Sequence, residues 1–309
     1  MSSKIIFCSC SDAGLEVLNY LISKNFEISQ IVSLNSQQAI RYNVSGYASF
    51  DEIARKNNIP IYFPKTYSLK DKDDIDFFKK NNFDLLLNGG WQRLIPEIIL
   101  NNLKIGGIGF HGSSEFLPKG RGRSPVNWSL IKGKTQFIQH AFLMTPGIDD
   151  GDIIAHEIFD INQWDTCKTI YYKISIIQKR ILEEIIPKLL SNDFKRVPQT
   201  GEPSYYPKRT PDDGLIDWSK PVYEIYNFIR ALTRPYPGAF AYVKTQRLNI
   251  WESQPFDSKI KYEDKNGRIV EKFSTGHFVV NCNDGLLLIT DYDGKVALGD
   301  ILGDPYNDK

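Results

Sequence analysis

A chain of 309 residues is long enough for a large buried core and divides most naturally into two domains, because single cores rarely grow past roughly 250 to 300 residues. Its 41% hydrophobic, 13% aromatic and 24% charged residues describe an ordered globular protein and exclude a disordered or fibrous chain. A formal net charge of +1, from 38 basic and 37 acidic side chains, excludes a global electrostatic attraction to nucleic acid or an anionic membrane. Cys8, Cys10, Cys167 and Cys282 are scattered, off zinc-site spacing, and read as reduced thiols. The apolar run after Lys4 is too short for a signal peptide, and no stretch approaches the roughly 20 apolar residues of a membrane span. A cytoplasmic enzyme is the expectation.

The first two hundred residues alternate β-branched runs with amphipathic stretches, the pattern of parallel strands joined by crossover helices. Ile5 to Cys10, Ile28 to Leu34, Ile59 to Phe63, Leu85 to Asn88 and Gly107 to Phe110 read as strands. Leu15 to Ser23, Phe50 to Lys56, Asp73 to Lys80 and Pro96 to Asn101 read as helices, with Asp12, Ser49 and Asp71 as N-caps. The predicted fold is α/β, an open, mostly parallel, doubly wound (Rossmann-like) sheet. After a long helical pattern, Thr166 to Leu190, the segment Val197 to Asp213 carries Pro198, Pro203, Pro207 and Pro211 and reads as a linker. One further helix, Val222 to Leu232, precedes short strands at Phe240 to Val243, Arg247 to Trp251, His277 to Asn281 and Leu286 to Ile289. The division expected is a catalytic domain over 1–196, a linker over 197–213 and a smaller, mainly β domain over 214–309.

The stretch Gly106 to Leu130, GGIGFHGSSEFLPKGRGRSPVNWSL, runs an apolar strand into His111 and then into small, turn-forming and cationic residues. Ligands of doubly wound sheets bind beyond the carboxyl ends of strands, so His111 stands at the expected mouth of a site. Further on, the strand-like run Ile138 to Met144 leads into TPGIDDGDII, which brings Asp149, Asp150 and Asp152 to another strand end. If those strands are neighbours, His111 and Asp149 face each other. His140, His156 and His277 lie in strand-like runs and read as ordinary side chains, although His140 shares the strand leading to Asp149. The glycines at 106–107 and at 120 and 122 lack the spacing and context of a dinucleotide loop. The run KDKDD from Lys70 to Asp74 reads as an exposed helix start.

These stretches carry a resemblance to the folate-dependent formyltransferases, a family that includes methionyl-tRNA formyltransferase and the sugar N-formyltransferases. The matching residues are His111-Gly112-Ser113 with Leu117-Pro118, Arg121-Gly122-Arg123-Ser124-Pro125 with Asn127-Trp128, and Gly147-Ile148-Asp149-Asp150-Gly151-Asp152. The segment PKRTPDDGLIDWSKPVYEIYNFIRALTRPYPGAF, from Pro207 to Phe240, is similar to the start of the family's second domain. The resemblance implies a first domain that binds 10-formyltetrahydrofolate, without a metal, and a smaller OB-like barrel. It implies catalysis by His111 and Asp149. His111 would donate to the oxyanion formed when an amine attacks the formyl carbon, and Asp149 would hold that histidine protonated and help remove the surplus proton. It implies a pterin pocket walled by Gly90, Trp91, Gln92, Arg93, Leu94 and Pro118, with Gly147, Ile148 and Asp150 opposite. Ser113, Arg121, Arg123 and Asn127 are the expected substrate contacts, the guanidinium forks suiting phosphate or carboxylate.

The chain departs from the family at one position of consequence. The asparagine usually found two residues before this histidine is Gly109, and two extra residues separate His111 from Leu117-Pro118. Loss of an oxyanion-stabilising amide costs roughly 3 to 4 kcal/mol of transition-state stabilisation. Ser113, Asn127, Asn88 or a backbone amide freed by the glycine takes over the role, or the protein is a weakened, ligand-binding relative.

The acceptor is read from charge. Residues 201–309 hold 14 Lys or Arg and 16 Asp or Glu, a net −2, and the loop Asn35 to Ser49 carries Arg41 as its lone cation, where a tRNA-binding arm should be basic. A small acceptor follows, and the resemblance implies a nucleotide-linked amino sugar, with a 4-amino-4,6-dideoxy sugar of surface polysaccharide biosynthesis as the expectation. No nucleic-acid or membrane partner is expected, and a homodimer through the C-terminal β region is. Methionyl-tRNA formylation and formyl-folate hydrolysis are the alternatives.

Overall fold

Hydrophobic β-branched runs bounded by turn residues form the strands of a computed structural model that describes residues 3–44 and 46–304. Residues 1, 2, 45 and 305–309 lie outside the described residues; they include the first two of the N-terminal segment read above and Ser45 of the loop after the second strand. In chain order the first part contains β1 (Ile5–Cys8), α1 (Asp12–Ser23), β2 (Ile28–Val32), α2 (Ser36–Arg41), α3 (Asp51–Lys56), β3 (Ile61–Tyr62), α4 (Lys72–Asn81), β4 (Leu85–Asn88), α5 (Glu97–Leu100), β5 (Gly106–Ser113), β6 (Arg121–Gly122), α6 (Pro125–Ile131), β7 (Gln136–Leu143), β8 (Ile153–Asp160) and α7 (Cys167–Leu190). Then follow β9 (Tyr205–Tyr206), α8 (Val222–Leu232), β10 (Ala239–Val243), β11 (Gln246–Asp257), β12 (Ile269–Lys272), β13 (Phe278–Asn281), β14 (Leu286–Asp293) and β15 (Leu302–Gly303). No helix among the described residues is long and apolar enough to cross a membrane.

Seven strands form one sheet in the order β3-β2-β1-β4-β5-β7-β8. The pairs from β3 through β5 are parallel, and β7 runs antiparallel to β5, so the sheet is the open, mostly parallel, doubly wound one that the alternation predicts. Apolar clusters cover both faces. Ile5, Phe7, Leu85, Leu87 and Ile108 join α1 and α7 residues on one side, and Ile6, Cys8, Leu86 and Trp91 pack on the other. Chain order reverses at β1, which makes the crevice beyond the ends of β1 and β4 a topological switch point.

Local signals placed two of the three helix N-caps one residue off. Ser11, not Asp12, caps α1, accepting from the Gly14 N–H. Helix α3 has Phe50 at its N-cap without a side-chain bond, while Ser49 accepts from the Asp51 N–H. Asp71 caps α4 as expected, accepting from Asp73. The segment read as a loop after β2 holds α2, closed by a capping box between Asn35 and Gln38. All four cysteines are free and buried, and burial pushes their thiols up.

The chain groups into two compact units. The first comprises residues up to Gly122, Phe137–Phe159 and Tyr171–Tyr205, and the second comprises Arg123–Gln136, Asp160–Ile170 and the chain from Tyr206 on. In the second, six strands pair in the order β12-β13-β14-β11-β10-β15. Neighbouring strands in this order run antiparallel. Its outer strands also meet, through Leu302 N–H to Gly267 O and Ile269 N–H to Asp300 O, both 2.8 Å, so the sheet curls into a barrel and hides its edges.

Candidate active site

His111 lies on β5 with its side chain 7% exposed, and its Nδ1 stands 3.3 Å from Oδ2 of Asp149, whose side chain is 21% exposed. On the other side of the ring, Nε2 is 2.8 Å from the carbonyl oxygen of Gly120. A carbonyl oxygen only accepts, so Nε2 donates to Gly120, and Nδ1 is the ring atom turned to the Asp149 carboxylate. Asp149 is a non-glycine residue in the left-handed region, at φ 52°, a conformation that persists only where its surroundings hold it.

Those surroundings are visible. Oδ2 of Asp149 also accepts from the Gly122 N–H at 3.2 Å. Gln199 donates from Nε2 to the carbonyls of Asp149 and Gly151, each at 2.8 Å. Arg121, 9% exposed, in turn holds Gln199 through Nη2 and Nε at 2.6 and 3.2 Å, and reaches the Tyr205 hydroxyl at 3.3 Å. Gly151 is obligatory, since a Cβ there would sit 1.6 Å from the Leu143 carbonyl oxygen. A Cβ at Gly147 would run into the carboxylate of Asp150, which accepts a short bond from the Thr145 hydroxyl.

Behind His111 the antiparallel register sets His140 directly opposite. His140 is fully buried, its Nδ1 lies 3.3 Å from the His111 carbonyl oxygen, and its Nε2 has no partner among the described residues. Burial, with the neighbouring His111 and His156 adding to it, lowers its pKa to about 4, so it stands neutral at neutral pH and its Nδ1–H donates to that carbonyl. His140 therefore fixes the backbone that carries His111.

The loop after β4 forms a second wall of unit one. Asn88 Oδ1 accepts from the N–H groups of Gly90 and Trp91 at 3.0 and 2.6 Å, an Asx turn. Gly89 is glycine because the Phe7 ring fills its side-chain space, 2.2 Å from any Cβ, and Gly90 takes φ 103°. The loop closes around Tyr67, a residue that sequence reasoning missed. Its hydroxyl accepts from the Gln92 N–H at 3.2 Å, its ring meets Trp91 edge-on at 4.8 Å, and the Arg93 guanidinium lies over it at 4.6 Å. Trp91 is buried with its Nε1 unpartnered among the described residues. Leu94 and Ile148 are apolar and about half exposed.

The remaining expected site residues are distributed as follows. Ser113 is buried and donates to the Lys119 carbonyl at 3.1 Å while accepting from the Glu115 N–H at 3.2 Å. The carbonyl of Pro118 accepts from the Ser204 N–H at 3.3 Å. Arg123 and Asn127 belong to the second unit. There Asn127 donates to the Ala231 carbonyl at 2.6 Å and its Oδ1 is buried without a partner among the described residues, while Arg123 is exposed. Gln199, also missed, sits in the proline-rich stretch read as a linker, and nothing local in the sequence marks it. At Gly109, a Cβ would meet the Phe142 ring at 2.8 Å and Met144 at 3.0 Å. No group of three His, Cys, Asp or Glu side chains among the described residues could hold a metal ion.

The family model for "Formyl transferase" matches residues 5–186, and that for "Formyl transferase, C-terminal domain" matches residues 208–298. Among curated proteins, the chain is 33% identical over 252 residues to a bifunctional polymyxin resistance protein, ArnA, of Wigglesworthia glossinidia brevipalpis; the match covers 81% of this chain and 38% of that protein. Among solved structures it resembles WlaRD, a sugar 3N-formyl transferase seen with dTDP and 5-N-formyl-THF, at a TM-score of 0.68 and 21% identity over 96% of this chain and 100% of that one. It also resembles the N-formyltransferase of Helicobacter canadensis, seen with folinic acid and dTDP-3-aminofucose, at a TM-score of 0.67 and 18% identity over 94% of this chain and 100% of that one. At such identities the two structures establish a shared fold.

Proposed function

The chain belongs to the formyltransferase family, and from that premise we propose that it moves the formyl group of 10-formyltetrahydrofolate onto the amine of a nucleotide-linked amino sugar. In its finest form the proposal names a 4-amino-4,6-dideoxy sugar made for surface polysaccharide. The observation that carries the chemistry is the 3.3 Å approach of His111 Nδ1 to Asp149 Oδ2, held by Gly122 and Gln199. The amine attacks the formyl carbon and the carbonyl electron pair moves to oxygen. Collapse of that tetrahedral species breaks the bond to N10 of the folate, which leaves with the electron pair and takes up the proton that the amine gives away. Asp149 is the group that can accept and relay that proton, and His111 keeps a positive charge beside the oxyanion.

The loop after β4 suits a folate. The Nε1 of buried Trp91, without a partner among the described residues, and the half-exposed Leu94 and Ile148 offer a donor and apolar cover to a flat heterocycle. We assign the pterin to Gly90, Trp91, Gln92, Arg93, Leu94, Pro118, Gly147, Ile148 and Asp150. In the first unit the acceptor falls to Ser113 and Arg121. The sugar reading is supported by one relative seen with a nucleotide-linked amino sugar, by a sugar 3N-formyl transferase seen with dTDP, and by the absence of a basic excess in residues 201–309. The division of labour proposed is a catalytic body over 1–196, a connecting stretch over 197–213 that reaches back through Gln199, and a β domain over 214–309.

The test mixes the protein with 10-formyltetrahydrofolate and a panel of nucleotide-linked amino sugars and follows tetrahydrofolate release and product mass. A sugar heavier by one formyl group, lost in His111→Ala, supports the proposal. Turnover only with methionyl-tRNA, or folate release that needs no amine, replaces it with the corresponding alternative.

A further inference from the structure

Whatever the acceptor, the attack puts a negative charge on the formyl oxygen, and an acyl transfer of this kind gains most from a hydrogen-bond donor aimed at that oxygen in advance. The nearest side chains do not offer one freely. Both ring nitrogens of His111 are engaged, with Gly120 O and Asp149. The Ser113 hydroxyl donates to Lys119 O. Two residues before His111, on the same face of β5, stands Gly109. The space its side chain would take is filled by Phe142 and Met144, so no longer residue fits there without moving an aromatic ring.

One amide nearby is uncommitted. Strand β4 pairs with β5 in parallel register, Leu86 with Gly107 and Leu87 with Ile108, and the next position sets Asn88 beside Gly109, about 4.8 Å away across the sheet. Neighbours in parallel register point to the same face, so Asn88 shares the face of Gly109 and His111. Its Oδ1 is pinned by Gly90 and Trp91, which orients the amide plane and turns the Nδ2 hydrogens away from the loop. Nδ2 bonds to nothing among the described residues, and the side chain is half buried at the switch-point crevice.

We propose that Asn88 is the catalytic hydrogen-bond donor to the formyl oxygen, supplied from β4 because Phe142 occupies the corresponding place on β5. This rests on the formyl-transfer reading above. The Asx turn then has a second purpose, since the acceptor end of the amide is fixed by the backbone and the donor end is presented to the substrate. Gly109 and Asn88 become two halves of one arrangement.

Asn88→Asp tests it, because the carboxylate keeps the acceptor for Gly90 and Trp91 and removes the NH2 donor. Asn88→Ala removes the donor without adding charge. Two readouts are taken: formyl transfer, and the infrared carbonyl stretch of the stable analogue 10-formyl-5,8-dideazafolate labelled with carbon-13 at the formyl group. The expected result is a fall in kcat of about a hundred- to a thousandfold in both variants, the range for loss of one oxyanion donor. The melting temperature of Asn88→Asp stays as in the wild type because the Asx turn keeps its acceptor, analogue affinity falls with the lost bond, and the spectra are taken at saturating analogue. The carbonyl stretch, lowered on binding the wild type, returns toward its solution value. Turnover in either folded variant within a fewfold of wild type, or an unchanged carbonyl shift, overturns the proposal. If the wild type binds the analogue with a lowered stretch lost in Asn88→Asp, yet formylates no amine, the acceptor reading fails and Asn88 stands. If it binds no folate, both fall.

Discussion

The loop after β4 and the loop after β7 both end strands of one sheet, yet they are held by different means. From Asn88 to Leu94 the chain closes on itself, with an Asx turn at its start and the Tyr67 ring and hydroxyl packed beneath. From Thr145 to Asp152 the chain is tied from a distance, by Gln199 and, through it, Arg121, and its strained residue is the one that faces His111. Local closure suits a wall that only has to receive a flat ligand. A proton-handling carboxylate has to be placed to a fraction of an ångström, and long-range ties supply that.

The largest effect should come from breaking the second loop at its tip. Asp149→Asn keeps the shape and removes the negative charge beside Nδ1, and kcat/KM should fall about a thousandfold or more, with folate affinity nearly unchanged. Steady-state kinetics check this; a fall of less than about tenfold would take the proton path away from Asp149.

The same side of the comparison should show a sensitivity to acid through His140. Its pKa is lowered from 6.5 to about 4 by burial, so between those values the unfolded chain binds more protons than the folded one. Stability therefore falls as pH drops from about 6.5 to about 4, by up to about 3 kcal/mol, and levels off below. Melting temperatures across that range, in the protein and in His140→Gln, measure it. The acid-side slope should flatten in the variant, and an unchanged slope would assign it to other groups. Because His140 bonds the His111 carbonyl, catalysis and fold should weaken together in acid.

Gln199→Ala sharpens the comparison further by cutting the ties of the Asp149 loop without touching a reacting group. A displacement near 1 Å costs up to about a hundredfold, and a loss of roughly ten- to a hundredfold in kcat is expected, with a smaller loss of folate affinity, since Gly147, Ile148 and Asp150 share the loosened loop while the wall after β4 stays in place. Equal losses in kcat and in folate affinity would show that the two loops are not supported separately.

The contrast also explains what the sequence could say. Leu85–Asn88 and Val222–Leu232 have the same limits in structure as in the amino-acid pattern, because apolar runs with clean turn or proline borders leave little choice. The approach of His111 and Asp149 was legible because each ends an apolar strand in small and turn-forming residues. Helix α2 escaped notice since Ala39 is its one buried residue, and its signal is a capping box rather than an apolar face. Gln199 and Tyr67 could not be found, since each acts across more than twenty residues on a loop whose position only the fold provides. The geometry also changed the meaning of the glycines, since Gly89 and Gly109 make room for Phe7 and Phe142 of the protein itself.

The smallest effect belongs to the first loop. Tyr67→Phe keeps the ring against Trp91 and under Arg93 and removes the hydroxyl that accepts from Gln92 N–H and meets Cys10 Sγ at 3.4 Å. One hydrogen bond of this kind contributes about 1 kcal/mol, so stability should fall by about that much and folate affinity about fivefold. Because the Asx turn at Asn88 and the aromatic packing remain, kcat should hardly move, and calorimetric folate titration beside kinetics separates the two. A kcat loss comparable to that of Gln199→Ala would mean that Tyr67 also orients Asn88, and the two loops would then be held to the same tolerance after all.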